Sequence, residues 1–253
     1  MLLLDIETSP ILAYIWHPAE GYVNPERIIH ESYHICWAAK WEGERKIIHS
    51  DVLTPSEAVA REDGRIVASL AELVREADAV VAHNGDRFDV PKLNSRLLLA
   101  GAEPLGSVRK IDTLKLAKRN FRLASNRLDY VARMLGVGRK IDTSFDDWEA
   151  AYRGGEKALR KLDRYCRGDV RILERVYKAM KPYVSQLPRL VDGVSVDDPR
   201  CPFCGQDSLQ RRGFYRTNAS TFRKFHCQNS DCGRWSRGRT AEKDRKMATV
   251  PIP

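Results

Sequence analysis

The stretch Leu2-Leu3-Leu4-Asp5-Ile6-Glu7-Thr8, near the start of a chain of 253 residues, decides the fold. Its apolar first part predicts a short buried strand over 2–6. Side chains alternate between the two faces of a strand, so Asp5 and Glu7 project from the same side. Two adjacent carboxylates repel each other, and a divalent cation such as Mg²⁺ or Mn²⁺ relieves that repulsion. The alternative is an exposed strand end with two solvated acids.

A second acidic segment, His83-Asn84-Gly85-Asp86-Arg87-Phe88-Asp89, follows an apolar run over 79–82. That run predicts a strand, and Val90-Pro91 predicts the start of a helix that continues to residue 100. Asp89 is therefore expected near a helix N-terminus, where the helix dipole favours a carboxylate. The alternative is that Asp89 is only an N-cap residue.

The third segment is Tyr165-Cys166-Arg167-Gly168-Asp169, inside a long amphipathic stretch over 156–180. The apolar spacing predicts one long helix or two abutting helices. Tyr165 and Asp169 are four residues apart, so a helix presents the phenol and the carboxylate on one face. The alternative is an ordinary amphipathic helix in which Asp169 is solvated.

The remaining pattern predicts a mixed α/β fold. An antiparallel start to a sheet is expected, followed by helix, strand and helix, which indicates a mixed sheet covered by helices. The further expected elements are strands over 33–40 and 45–49 and helices over 64–77 and 127–135, the last ending at Gly136.

In this order the three segments resemble the motifs of the DEDD exonuclease superfamily, which has a ribonuclease-H-like fold. The matching residues are Asp5 and Glu7 in the first motif, Asn84, Phe88 and Asp89 in the second, and Tyr165 and Asp169 in the third. The histidine subclass has a histidine five residues before the last Asp. Arg164 occupies that position here, so the tyrosine subclass is favoured.

The segments 111–115 and 128–132 also resemble proofreading domains of family B DNA polymerases. Stand-alone phage and bacterial exonucleases of this superfamily are closer in length. The resemblance covers residues 1–181, and the rest of the chain is too short for a polymerase palm or fingers.

The resemblance implies a 3′→5′ exonuclease that releases nucleoside 5′-monophosphates with two Mg²⁺ or Mn²⁺ ions. Asp5, Glu7 and Asp169 would hold the first ion, and Asp5 would bridge to the second with help from Asp89. Tyr165 would orient or deprotonate the attacking water. The substrate expected is a single-stranded 3′ end, DNA rather than RNA, and the residues expected to hold the terminal nucleotide are Thr8, Asn84 and Phe88. A non-catalytic nucleic-acid-binding protein and a structure-selective endonuclease stay open as alternatives.

Four of the six cysteines form two close pairs, Cys201 with Cys204 and Cys227 with Cys232. Two such pairs predict one structural Zn²⁺ in a zinc ribbon over 200–240. The metal would supply the folding energy of so small a module. A proline-containing linker over 182–199 precedes it, and a basic tail over 241–253 follows. The alternative is two reduced cysteine pairs without a metal.

The charge pattern predicts a nucleic-acid partner. The net charge is +9, and residues 193–253 contain 12 Lys and Arg against 6 Asp and Glu. We expect Tyr215 and Trp235 to stack on unpaired bases and Arg216 to contact phosphate. The alternative is that the aromatic rings pack over the zinc site, or that the ribbon docks a protein partner.

The sequence also predicts where the protein acts. No apolar run is long enough to span a bilayer, so no membrane association is expected. The N-terminus lacks the features of a signal peptide, because Asp5 interrupts its apolar run. We therefore expect a cytoplasmic protein, in the host cytoplasm if it is phage-encoded, and a monomer by default.

Overall fold

The structure is a computed structural model that describes residues 1–45, 48–106, 108–184, 200–217 and 220–242, without the side chains of 239 and 240. The chain divides into two compact units, Met1–Met180 and Lys181–Pro253. Most of the predicted linker over 182–199 and of the predicted tail over 241–253 lies outside the described residues. No helix among the described residues is long and apolar enough to cross a membrane.

The first unit is built on a mixed five-stranded sheet. The strands of this sheet are β1 (Leu2–Thr8), β4 (His34–Trp41), β5 (His49–Val52), β6 (Ala79–Ala82) and β7 (Arg109–Asp112). A separate two-stranded sheet consists of β2 (Leu12–Ala13) and β3 (Ile28–His30). The strand order of the five-stranded sheet is β5-β4-β1-β6-β7. The central strand β1 is antiparallel to β4 and parallel to β6. Its apolar side chains are almost fully buried, as expected for a strand covered on both faces.

Helices cover this sheet. They are α1 (Pro55–Ala60), α2 (Gly64–Glu76), α3 (Asp89–Leu99), α4 (Thr113–Asn120), α5 (Leu128–Met134), α6 (Phe145–Tyr152) and α7 (Glu156–Met180). The long helix α7 packs against β1 and β4 through a buried apolar stripe. The Cys166 thiol lies 3.3 Å from the backbone oxygen of Asp5, so α7 crosses β1 beside the first acidic motif.

The predicted α/β class and the mixed sheet are confirmed, and the antiparallel start is the β1–β4–β5 part of the sheet. The predicted strand over 45–49 is wrong in position. The strand begins at His49, and pairing sets Cys36 opposite Val52. Residues 46 and 47 of that prediction lie outside the described residues. The sequence at 42–44 makes a turn instead, with Gly43 at φ +97°, a conformation that favours glycine.

Between β1 and β4 along the chain, β2 and β3 pair to form a hairpin arm, which the sequence did not predict. Its base is fixed by Ser9, whose backbone N–H donates to the oxygen of Tyr33 at 2.8 Å. The Ser32 hydroxyl donates to the backbone oxygen of Ser9 at 2.9 Å. The arm therefore leaves the sheet two residues after Glu7.

The second unit contains an antiparallel three-stranded sheet in the order β10-β9-β8. Its strands are β8 (Leu209–Arg216), β9 (Thr221–Cys227) and β10 (Trp235–Ala241). The small core consists of Cys201, Cys227 and Cys232, with Phe203 and Leu209 packed against them. A core of this size agrees with a module that depends on bound metal.

Candidate active site and cysteine cluster

Three carboxylates meet where α7 crosses β1. One oxygen each from Asp5, Glu7 and Asp169 can be chosen so that all three lie within 4.8 Å of one another. Asp5 and Glu7 share a face of β1 because side chains alternate along a strand. Asp169 follows Cys166 by three residues on α7, which brings it to the same place. Asp169 is almost fully buried, with 1% of the residue exposed.

Asp89, on α3, is not part of the group of oxygens within 4.8 Å, but after burial its charge is among the causes that raise the pKa of Asp5. It is the first residue of that helix, and Phe88, not Asp89, occupies the N-cap position. A Cβ at Gly85 would lie 2.5 Å from the Cβ of Ala82, so only glycine lets the chain turn this tightly between β6 and α3. Burial raises the pKa of Asp89 to about 7, against the lowering effect of backbone hydrogen bonds from Asp89 itself and Ile6.

Burial and mutual repulsion disfavour charge on the clustered acids. Burial, Glu7 and Asp169 raise the pKa of Asp5 well above its usual value. Burial and then Asp169 raise the pKa of Glu7 to about 8. One buried oxygen of Asp5 and one of Asp169 have no hydrogen-bond partner. Clustered, partly unpartnered carboxylate oxygens are a donor set that fits a hard divalent cation.

Lys140 is a site residue that sequence reasoning missed. Its ammonium group donates to the Tyr165 hydroxyl at 2.9 Å and also to an oxygen of Asp169. The backbone N–H of Lys140 donates to Asp129 at 3.0 Å, which fixes the loop that carries it. Burial opposes its charge, but the charge and hydrogen bond of Asp169, together with the contact to Tyr165, raise the pKa of Lys140. A single lysine in a loop between two helices has no motif that distinguishes it.

Tyr165 lies beside Lys140 and Asp169 on α7. Burial, and then the charge of Asp169, raise its pKa to about 12. The phenol therefore keeps its proton at neutral pH and acts through hydrogen bonds. The Trp148 ring meets the Tyr165 ring edge-on, with centroids 5.8 Å apart, and the Trp148 indole also lowers the pKa of Glu7. Trp148, on α6, is a second residue that the sequence analysis missed.

The residues predicted to hold the terminal nucleotide lie on the segments that lead into this cluster. Thr8 ends β1 opposite His34. Asn84 has φ +73°, and its backbone N–H donates to Asp112 at 3.0 Å. Asp112 also caps α4, because its side chain accepts from the N–H groups at the start of that helix. The loop that carries Asn84 is thus fixed through its backbone.

The four clustered cysteines bring their sulfur atoms together in the second unit. Sγ of Cys201 lies 3.7 Å from that of Cys232, and Sγ of Cys204 lies 3.7 Å from that of Cys227. Tetrahedral zinc with Zn–S bonds of about 2.3 Å separates its sulfurs by about 3.8 Å. The sulfur positions therefore fit one zinc ion.

The predicted contact residues of the ribbon do not all lie together. Tyr215 is opposite Phe222, and Trp235 is opposite His226, which places both rings on one face of the sheet. Arg216 is opposite Thr221, the neighbour of Phe222 on β9. Because side chains alternate along a strand, Arg216 lies on the other face.

This architecture, a mixed sheet with clustered carboxylates where a long helix crosses its central strand, is that of the RNase-H-like fold. A protein-family model for the RNase H superfamily matches residues 39–181. The match covers more than half of the chain, and the chain belongs to this superfamily. The matched segment includes Asp89, Tyr165 and Asp169 but begins after the strand that carries Asp5 and Glu7.

Two DNA polymerases are among the known proteins that are similar to this chain. A DNA polymerase from Pyrococcus glycovorans is 25% identical over 214 residues, covering 76% of this chain and 26% of the polymerase. The structure of the family B DNA polymerase from the hyperthermophilic archaeon Pyrobaculum calidifontis superimposes with a TM-score of 0.52. That match has 20% identity and covers 71% of this chain and 24% of the other. The chain thus spans about a quarter of either polymerase.

Proposed function

We propose that this protein is a metal-dependent 3′→5′ exonuclease that hydrolyses nucleic acid, DNA in preference to RNA, to nucleoside 5′-monophosphates. The observation that carries the proposal is the approach of Asp5, Glu7 and Asp169 within 4.8 Å, with unpartnered oxygens on Asp5 and Asp169. Such a cluster is costly unless it binds cations. Similarity to DNA polymerases supports DNA as the substrate.

The acids have distinct proposed roles. Asp5, Glu7 and Asp169 would hold one divalent ion, and Asp5 would share a second with Asp89. Bound Mg²⁺ or Mn²⁺ stabilises charge on the attacking and leaving oxygens of a phosphodiester and lowers the pKa of bound water. The carboxylates also exclude an approaching phosphate unless cations neutralise them, which makes the activity depend on metal.

Tyr165 and Lys140 are proposed to position the attacking water. A phenol with a pKa of about 12 is a poor base at neutral pH, so Tyr165 orients the water and does not deprotonate it. Lys140 fixes the phenol through the 2.9 Å hydrogen bond. Its positive charge also offsets part of the repulsion within the cluster. Thr8, Asn84 and Phe88 would contact the terminal nucleotide.

We also propose that Cys201, Cys204, Cys227 and Cys232 hold one structural Zn²⁺. The 3.7 Å sulfur separations support this assignment. With all four positions occupied by protein sulfur, the site has no open position for substrate. The zinc would stabilise the ribbon and take no part in hydrolysis.

The polarity of digestion tests the proposed function. The protein is incubated with 5′-labelled, 3′-labelled and circular single-stranded DNA, and with matching RNA, in Mg²⁺ or Mn²⁺. We expect 5′-labelled strands to shorten progressively, 3′ label to appear at once as mononucleotide, and circles to survive. Cleavage of circles would indicate an endonuclease, and binding without cleavage would indicate a non-catalytic protein.

A further inference from the structure

One face of the ribbon sheet carries a continuous series of aromatic and basic side chains. Directly opposed residues of neighbouring strands point to the same face of a sheet. Tyr215 is opposite Phe222, Lys224 is opposite Arg237, and His226 is opposite Trp235. Alternation along β9 places residues 222, 224 and 226 on one side. This surface, called here the aromatic–basic face, consists of Tyr215, Phe222, Lys224, His226, Trp235 and Arg237.

Contacts between these side chains agree with that placement. The Lys224 ammonium lies 4.1 Å from the centroid of the Trp235 ring, and the Arg237 guanidinium lies 3.9 Å from that of Phe222. The rings of His226 and Trp235 have centroids 4.6 Å apart. Cation–π contacts hold the rings in place and keep positive charge beside them. Tyr215 and Trp235 are still 48% and 45% exposed, so a ligand can reach both rings.

The charge of the ribbon is complementary to a polyanion. Residues 200–242 contain nine Lys and Arg against three Asp and Glu. None of the side chains that the structure describes on the aromatic–basic face is acidic. On the opposite face, Leu209 packs against the cysteine cluster and Arg223 pairs with Glu242 at 3.1 Å. The aromatic–basic face is thus separate from the cysteine ligands and carries unopposed positive charge.

We infer that the aromatic–basic face binds single-stranded nucleic acid, with unpaired bases on Tyr215 and Trp235 and phosphates beside Lys224 and Arg237. The two aromatic pairs are four residues apart along β9, or about 13 Å, with the cation pair midway. Only unpaired bases offer both ring faces to aromatic side chains. The inference rests on the proposed nuclease function for the class of ligand, but its test measures binding and not cleavage.

The test compares adjacent residues on opposite faces. Binding of fluorescent oligothymidylate to the zinc-loaded full chain is measured by anisotropy, in an Asp169→Asn background that prevents digestion. Tyr215→Ala is expected to weaken binding about 5- to 140-fold, from ~1–3 kcal/mol per stacked base. The matched control is Phe214→Ala, which removes a ring of similar exposure, 43%, from the other face. Phe214→Ala should change the affinity less than about twofold. Tyr215→Phe, which keeps the ring, should bind with the wild-type affinity.

A salt titration tests the cations in the same way. On single strands, each lost phosphate contact makes the negative slope of log K against log salt shallower by ~0.7. The double variant Lys224→Gln with Arg237→Gln should therefore reduce the magnitude of the slope by about 1.4. The control pair, Arg211→Gln with Arg223→Gln, removes equal charge from the other face and should leave the slope unchanged. Equal effects of both pairs would overturn the inference.

The outcomes separate the inference from the proposed function. Wild-type affinity in all variants of the aromatic–basic face would overturn the inference even if the protein digests DNA, and is the result expected for a protein-docking surface. Face-specific binding by a protein that cleaves no substrate would support the inference and contradict the nuclease assignment.

Discussion

Replacing Glu7 by glutamine should stabilise the protein when no Mg²⁺ or Mn²⁺ is added. Burial and then Asp169 raise the pKa of Glu7 from 4.5 to about 8. A carboxyl group with a raised pKa in the folded state favours unfolding once the pH exceeds its unfolded pKa. The interval from 4.5 to pH 7 corresponds to about 3 kcal/mol of destabilisation, which the amide would remove. Below pH 4.5 the effect should vanish, since both states are then protonated.

The measurement is urea denaturation at pH 4.5 and pH 7, followed by the helical circular-dichroism signal. All helices α1 to α7 lie in the first unit, so this signal reports on the unit that contains Glu7. Glu174→Gln is the control with opposite sign. Burial alone would raise the pKa of Glu174, but hydrogen bonds from Lys40 and Lys178 lower it below its usual value. A gap between Glu7→Gln and wild type that is independent of pH, or a less stable Glu7→Gln protein at pH 7, would refute the reasoning.

Added Mn²⁺ should narrow the difference in stability between wild type and Glu7→Gln. A ligand present at 100 times its dissociation constant stabilises the folded state by about 2.7 kcal/mol. Wild type should gain this amount, and Glu7→Gln should gain less because it has lost an anionic ligand. An equal gain in both proteins would show that Glu7 does not bind the metal.

Three further predictions concern Lys140, Tyr165 and His34. Lys140→Met should slow single-turnover cleavage at least tenfold, about 1.4 kcal/mol, because the phenol loses its hydrogen bond; an unchanged rate would make Lys140 a purely structural ion-pair partner. Tyr165→Phe should slow turnover without abolishing it, by a factor at or below the ~10²–10⁴-fold typical of general acid–base groups, because the phenol only orients the water. An unchanged rate would mean that Tyr165 is only a core residue. Burial lowers the pKa of His34 to about 4. In the unfolded chain the imidazole is protonated below about pH 6.5. Between pH 7 and pH 4 the free energy of unfolding of wild type should therefore fall by about 3 kcal/mol relative to that of His34→Leu. Urea denaturation that gives the same pH dependence for both proteins would contradict this.

Local patterns predicted the elements that build the centre of the sheet. The apolar run at 2–4, the run at 79–82 and the helical spacing over 156–180 each correspond to an observed element. Long or fully buried elements have patterns that tertiary contacts do not override. The short elements α1, α4, α6 and β7 were missed, since four to eight residues contain too few periods to be distinguished from a loop.

The candidate site divides in the same way. Asp5, Glu7, Asp89, Tyr165 and Asp169 lie in motifs with fixed spacing, and that spacing is visible in the sequence. Lys140 and Trp148 reach the cluster from a loop and from α6, and only the packing of these segments against α7 brings them there. The face on which Arg216 lies depends on strand register, including the β-bulge between Arg211 and Phe214. A register shift of one residue moves a side chain to the other face, and the sequence alone does not fix it.

The most direct test of the central claim is single-turnover cleavage of 3′-labelled DNA by Asp5→Asn and Asp169→Asn in saturating Mn²⁺. Glu156→Gln is the control, because Glu156 lies on the same helix as Asp169 but pairs with Arg160 on the surface. We predict that either cluster variant falls below a tenth of the wild-type rate, more than ~1.4 kcal/mol of barrier, with unchanged helical signal. The control should match wild type. A folded Asp5→Asn or Asp169→Asn protein that retains more than a tenth of the rate would contradict the assignment of this carboxylate cluster as the active site.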